Sequence, residues 1–172
     1  SKLAKKPGTV CNGCYALKGC YVFPVVKDAM ARRLEFFNSK DFIPIMVWLL
    51  QSQRKKFFRW FDSGDIQNVF MGLNILEICK QTPDIKHWIP SKEYKMWRQV
   101  LKIEKLPDNV CLRISSPNID QEPLKEFSNT STVHKNKKAF GLECIAYKQD
   151  GKCLTCKACY DPKVKNISYP LH

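Results

Sequence analysis

KFFRWFDSGDIQNVFMGLNILEICKQTPDIKHWIP, from Lys56 to Pro90, decides the fold. KFFRWF is short and aromatic-rich, as a strand should be, and DSGD behind it is a turn. IQNVFMGLNILEICKQ carries its apolar residues at helical spacing, and KHWIP reads as a second strand. The alternation continues outward. SKEYKMWRQVLKIEK has helical periodicity behind Ser91, and NVCLRIS is a third strand. Strand, helix, strand, helix, strand implies right-handed crossovers and parallel pairing. Aromatic and aliphatic strands suit a sheet covered by helices. The class is therefore α/β: a small, partly parallel sheet, or an incomplete TIM-like β/α barrel with helices outside. At 172 residues the chain is too short for a full eightfold barrel, which needs about 250.

Upstream, FPVVKDAMARRLEFF reads as a helix. NSKDFIPIMVWLLQSQRKK begins another, with Ser39 as cap and Pro44 confined to the first turn. Downstream, the polar stretch from Glu122 to Lys138 is expected to form a short helix and loops, and AFGLECIAY a last strand before a cysteine-rich tail. One domain over residues 1–172 is expected, with a β/α core at about 22–145 and cysteine groups at both ends. The most apolar run, FIPIMVWLL, is too short to span a bilayer, and SKLAKKPGTV lacks the apolar stretch of a signal peptide. A soluble, cytoplasmic protein without membrane contact is the expectation.

Nine cysteines, an odd number, cannot all pair internally, and a reducing compartment disfavours a disulfide framework. Three lie in CNGCYALKGC (Cys11, Cys14, Cys20) and three in CLTCKAC (Cys153, Cys156, Cys159). Cys79 and Cys111 sit in apolar segments and read as small core residues. CxxC spacing brings two sulfurs around a tight turn toward one metal. Gly13, Gly19 and Gly151 ease the backbone there. Lys18, Lys152 and Lys157 can offset thiolate charge, and Tyr15, Tyr21 and Tyr160 can shield a centre from water. His87, His134 and His172 are scattered and read as ordinary histidines. A Cys₄ zinc site is the competitor, but a third cysteine in each group favours an iron–sulfur cubane.

The net charge is +13, with Lys and Arg spread over QRKKFFR, KEYKMWR, HKNKK and DPKVK. Such a surface attracts nucleic acid or merely aids solubility. Parallel β/α folds place functional groups beyond the carboxyl ends of strands. Here those positions hold Arg59, Asp62, Ser63 and Asp65, then Ser91, Lys92 and Glu93, then Arg113, Ser115, Ser116 and Asn118. Asp62, Asp65, Glu93 and Arg113 make a candidate pocket, with Asp62 and Arg113 converging on an anionic ligand. Asp65 and Ser91 read more simply as helix caps.

CYA at Cys14–Ala16, RWFDSGD at Arg59–Asp65, WIPSKEY at Trp88–Tyr94 and GKCLTCKACYD at Gly151–Asp161 together resemble the phage gene product 88 family, in that order and over most of the chain. The resemblance implies a virus-encoded, cysteine-rich protein of the infected bacterial cytoplasm, with a compact β/α-barrel-like fold and a [4Fe–4S] cluster. It carries over Cys14, Cys144, Cys153, Cys156 and Cys159; Cys11 and Cys20 depart from the expected spacing. One cubane takes four thiolates. Two from each end of the chain gives Cys14, Cys20, Cys153 and Cys156, with Cys11 and Cys159 as the next candidates and Cys144 as structural. CNGCYALKGC lacks the CxxxCxxC loop of radical S-adenosylmethionine enzymes. The leading expectation is a cluster protein in electron transfer, sensing or another redox step, working with a host or phage redox partner. The alternatives are a basic nucleic-acid-binding module with structural zinc and a cluster-dependent enzyme using the strand-end residues.

Overall fold

A computed structural model describes residues 2–171, apart from the side chains of Lys2, Leu3 and Tyr15; His172 and the proposed shielding by Tyr15 lie outside the described residues. Two helices come first, α1 (Pro24–Phe37) and α2 (Phe42–Ser52). The alternating part follows: β1 (Phe57–Arg59), α3 (Val69–Gln81), β2 (Lys86–Ser91), α4 (Tyr94–Ile103) and β3 (Val110–Ile119). Three more strands complete the sheet: β4 (Thr130–His134), β5 (Leu142–Glu143) and β6 (Asn166–Pro170). All neighbouring strands are parallel, in the order β1-β2-β3-β4-β6-β5, and the sheet curls as a half-barrel. The α/β class with an incomplete barrel is thus what the chain adopts.

Strand side chains alternate between faces, so register sorts them. On the helix-covered face, Ile89, Leu112 and Ile114 pack with Ile75, Leu76, Ile78 and Cys79 of α3 and with Trp97 and Val100 of α4. The α3–α4 contact needs a glycine. A Cβ added at Gly72 would sit 2.6 Å from Val100 Cγ2. His87 is buried among Trp60, Phe58 and Thr82. Trp60 Nε1 donates to His87 Nδ1 (3.2 Å), and Thr82 Oγ1 lies 2.9 Å from Nε2 while donating to the Ile78 carbonyl. The opposite face aligns Arg59, Trp88 and Cys111, then Pro90 with Arg113, Ser115 with Ser131 and Ile167, and Val133 with Tyr169.

Several local expectations are corrected. Ser39 does not cap α2: its hydroxyl donates to the Phe36 carbonyl (2.8 Å) and closes the end of α1. Asp65 and Ser91 are not helix caps either. Asn68 caps α3 by accepting from Met71 N (2.9 Å), and Glu93 occupies the cap position of α4. The stretch from 122 to 138 contains β4, which its composition hides because its buried side chains are hydroxyls. Thr130 Oγ1 donates to Asn166 Oδ1 (2.8 Å), and Thr132 Oγ1 to Ser168 Oγ (3.1 Å), so β4 and β6 share a satisfied polar seam. AFGLECIAY supplies only the two-residue β5, and β6 follows the cysteine-rich segment rather than preceding it. Cys79 belongs to the helix-side core as expected. Cys111 is equally buried but lies on the opposite face.

Candidate metal centre

The front cysteines are carried to the carboxyl end of β3. Thr9 bridges Asn118 in antiparallel fashion, Val10 N donates to the Pro117 carbonyl (2.9 Å), and Ile119 N to the Gly8 carbonyl (3.0 Å). This seats Cys11 in a buried position, with Cys14 half-buried and Cys20 exposed. Cys14 N donates to the Cys11 carbonyl (3.2 Å) across Gly13, whose φ of 76° is a conformation that favours glycine. Tyr21 donates its hydroxyl to Asp62 Oδ2, which ties this loop to the segment after β1.

The second group forms the connection between β5 and β6. Cys156 N donates to the Cys153 carbonyl (2.8 Å), the tight turn that CxxC spacing predicts. Residues Ala158–Tyr160 make a 3-10 turn against the sheet. The residue that holds it there is Arg113 on β3, which is fully buried. Its Nε donates to the Cys159 carbonyl (3.0 Å), and its Nη2 to the carbonyls of Ala158 (2.9 Å) and Asp161 (2.8 Å). Nη1 reaches the Thr130 carbonyl at 3.4 Å. A guanidinium cannot be buried without acceptors, and here four backbone carbonyls supply them.

The Cys159 thiol beside this clamp is half-buried and lies against the Tyr169 hydroxyl. Burial raises the Cys159 pKa, its contact with Tyr169 (Sγ to hydroxyl 3.5 Å) and the charge of Arg113 oppose that, and nearby Cys144 and Cys153 push it further up. Cys144 is placed by its backbone, whose N–H donates to the Ser168 carbonyl (2.9 Å). Tyr169 is raised by burial first and then by Cys159 and Cys144. Cys111 is pushed up to about 11, mainly by burial, with Arg113 opposing and Cys159 adding to it. Trp88 stands on the same face, with Tyr160 edge-on to its ring at 5.8 Å. Its indole Nε1 is buried and has no partner among the described residues.

Among the described residues, no three His, Cys, Asp or Glu side chains stand close enough together to hold a metal ion. This holds alike for Cys14 and Cys20 with Cys153 and Cys156, and for Cys144 and Cys159 with Cys153 and Cys156. Cys20, Cys153 and Cys156 are exposed.

The strand-end residues go to separate partners. Asp62 takes the Tyr21 hydroxyl. Asp65 Oδ1 accepts from Ser91 Oγ (2.7 Å) and Ile66 N (2.9 Å), and its Oδ2 from Lys92 N (2.6 Å). Ser91 Oγ in turn accepts from Glu93 N (3.1 Å). Asp65 thus staples the loop after β1 to the loop after β2. Burial raises its pKa against those hydrogen bonds, and Glu93 is raised by burial and by Asp65. Arg113, committed to the cysteine loop, does not converge with Asp62 on an anionic ligand. A lone arginine inside the apolar strand NVCLRIS was the signal for this clamp, because such a residue must find acceptors indoors. His134 Nδ1 lies 2.8 Å from Ser168 Oγ in the β4–β6 seam.

A family model described as gene product 88 matches residues 4–167. No curated protein and no solved structure matches the chain.

Proposed function

The chain belongs to the gene product 88 family, a family of phage gene products, and from that premise we propose that it binds a [4Fe–4S] cluster and serves a redox, electron-transfer or sensing role in the infected bacterial cell. The observation that carries this reading is the Arg113 clamp, which holds the cysteine loop against β3, with Cys159 on Tyr169 of β6 and Cys144 bonded through its N–H to the neighbouring Ser168. The donor set fits the group. All nine cysteines are free thiols, and soft thiolates are the ligands that iron–sulfur clusters take. The unpartnered Trp88 N–H also fits, since a buried donor beside cluster sulfur would gain an acceptor. When bound, such a cluster supplies one-electron transfer.

For ligands, Cys153 and Cys156 form the CxxC turn. We assign the other two to Cys159, whose carbonyl Arg113 holds, and Cys144, whose N–H bonds Ser168 next to Tyr169. Cys14 and Cys20 are the competing pair. The chain's own residues have three roles there. Arg113 orients the loop backbone, Tyr160 and Tyr169 cover the thiols, and Lys152 and Lys157 offset thiolate charge.

Anaerobic purification tests the reading. The expected product is brown, with broad absorption near ~400 nm and about four irons and four inorganic sulfides per chain. A colourless protein with stoichiometric zinc would overturn it. Iron retained in Cys144→Ala with Cys159→Ala, but lost in Cys14→Ala with Cys20→Ala, would move the second pair of ligands to the front loop.

A further inference from the structure

The edge of the sheet at β1 carries a cation–aromatic surface that borders the proposed metal site and extends beyond it. RKKFFR, Arg54–Arg59, runs into this edge strand, beyond which no further strand pairs among the described residues. By register, Phe57 and Lys86 share a face with Arg59 and Trp88, whereas Phe58 turns toward the helix-side core. Phe57 remains 38% exposed. The Arg59 guanidinium lies over the Trp88 ring, 4.8 Å from its centroid, and Lys157 Nζ lies 5.2 Å from the Phe57 centroid. Tyr160 packs edge-on between Phe57 (5.0 Å) and Trp88 (5.8 Å), which joins the four residues into one cation–aromatic surface.

Two further facts narrow what this surface fits. Its cations are unpaired: the ion pairs among the described residues are Lys80 with Glu77 and Glu104, and Arg98 with Glu126, all elsewhere. The positive track also continues past the strand. Arg54, Lys55 and Lys56 line a cleft of about 590 Å³, in which Asp84 is the single acidic wall residue. Unpaired cations along a strand edge suit a polyanion, and an exposed ring between them suits a planar group that can stack. One common polymer offers both at alternating positions.

We propose that this edge binds single-stranded nucleic acid, with an unpaired base stacked on Phe57 and phosphates neutralised by Lys56, Lys86, Arg59 and Lys157. A duplex hides its base faces and cannot use Phe57 in this way. Each base–aromatic stack adds substantially to affinity, and each neutralised phosphate releases a counterion and steepens the salt dependence.

The test is fluorescence anisotropy on the metal-loaded protein with labelled oligothymidylate, oligouridylate and a duplex of equal length. Single strands should bind at low salt, and log K should fall with log salt at a slope of about −2 to −3 for three or four phosphates. Phe57→Ala should weaken binding about tenfold or more. The double change Arg59→Gln with Lys86→Gln should flatten the slope by about 1.4. Iron content and thermal unfolding verify that the variants remain folded and loaded. Binding by DNA and RNA alike, or a preference for either sugar, supports the site. The proposal is overturned by no binding at low salt, by a duplex or polyglutamate binding as well as the single strands, or by equal loss in Lys102→Gln with Lys105→Gln on the helix-covered side.

Discussion

Acidification should find His87 first. Trp60 Nε1 can only donate, so Nδ1 of His87 must accept, and the ring proton sits on Nε2, where it points to Thr82 Oγ1. The Thr82 hydroxyl proton is committed to the Ile78 carbonyl, which completes the chain of donors. Adding a proton at Nδ1 would set two donors against each other in a buried site. Burial accordingly lowers His87 from 6.5 to about 4, with a weaker opposing effect from Thr82. Above pH 6.5 the imidazole is neutral in both folded and unfolded chains and adds no pH dependence. Below 6.5 the unfolded chain takes up the proton while the folded one resists it. Stability therefore falls as pH falls and levels off below about 4. Linkage with these two values gives a loss of about 2–3 kcal/mol between pH 7.5 and 4.5. Urea unfolding of the protein and of His87→Gln at both pH values isolates this contribution, because other titrating groups cancel in the difference. A nitrogen-15 titration of the ring checks the tautomer. Parallel pH dependence in the two proteins, or a ring that titrates near 6.5, would refute the reasoning.

Arg113→Met should free the cysteine loop and leave four backbone carbonyls without this donor, lowering stability by roughly 3–5 kcal/mol and loosening iron retention, read by thermal unfolding and iron assay. Gly72→Ala should cost about 1 kcal/mol or more through overpacking against Val100. Adding Val100→Ala should recover part of that loss, and a purely additive double variant in chemical denaturation would contradict the contact. Cys153→Ala or Cys156→Ala should abolish iron binding, whereas Cys79→Ala, deep in the helix-side core, should keep full iron content and lose only packing energy. Equal iron loss in all three would mean that the cysteine roles are wrongly divided.

The β/α alternation was legible because its strands are aromatic or aliphatic and its helices keep an apolar stripe, as KFFRWF, NILEICK and NVCLRIS do. The second half of the sheet was not. TSTVH in β4 and NISYP in β6 bury Thr130, Thr132, Asn166 and Ser168 in a hydrogen-bonded seam, so hydrophobic pattern carried no signal for them. The same limit applied at the site. Cys153 and Cys156 announce a turn by spacing alone, but the neighbours of Cys159 depend on where β6 and Arg113 lie, which is long-range information. Asp65 looked like a cap because it precedes a helix. In the fold its carboxylate is claimed by Ser91 and Lys92 on the next strand's loop.

The placement of β6 between β4 and β5 has a kinetic consequence. The strand last in sequence must enter a slot whose two walls are made earlier, and the segment that leads it there is the cysteine-bearing connection from β5. Any bond that shortens this connection lowers the entropy lost on closing it and raises the local concentration of β6 at its slot. In the proposed holoprotein, metal capture by Cys144, Cys153, Cys156 and Cys159 would do this, so loading and closure of the sheet would occur as one cooperative event. Removing the metal should then open amide exchange along β6 and its β4 partner well before α3 and α4 release theirs.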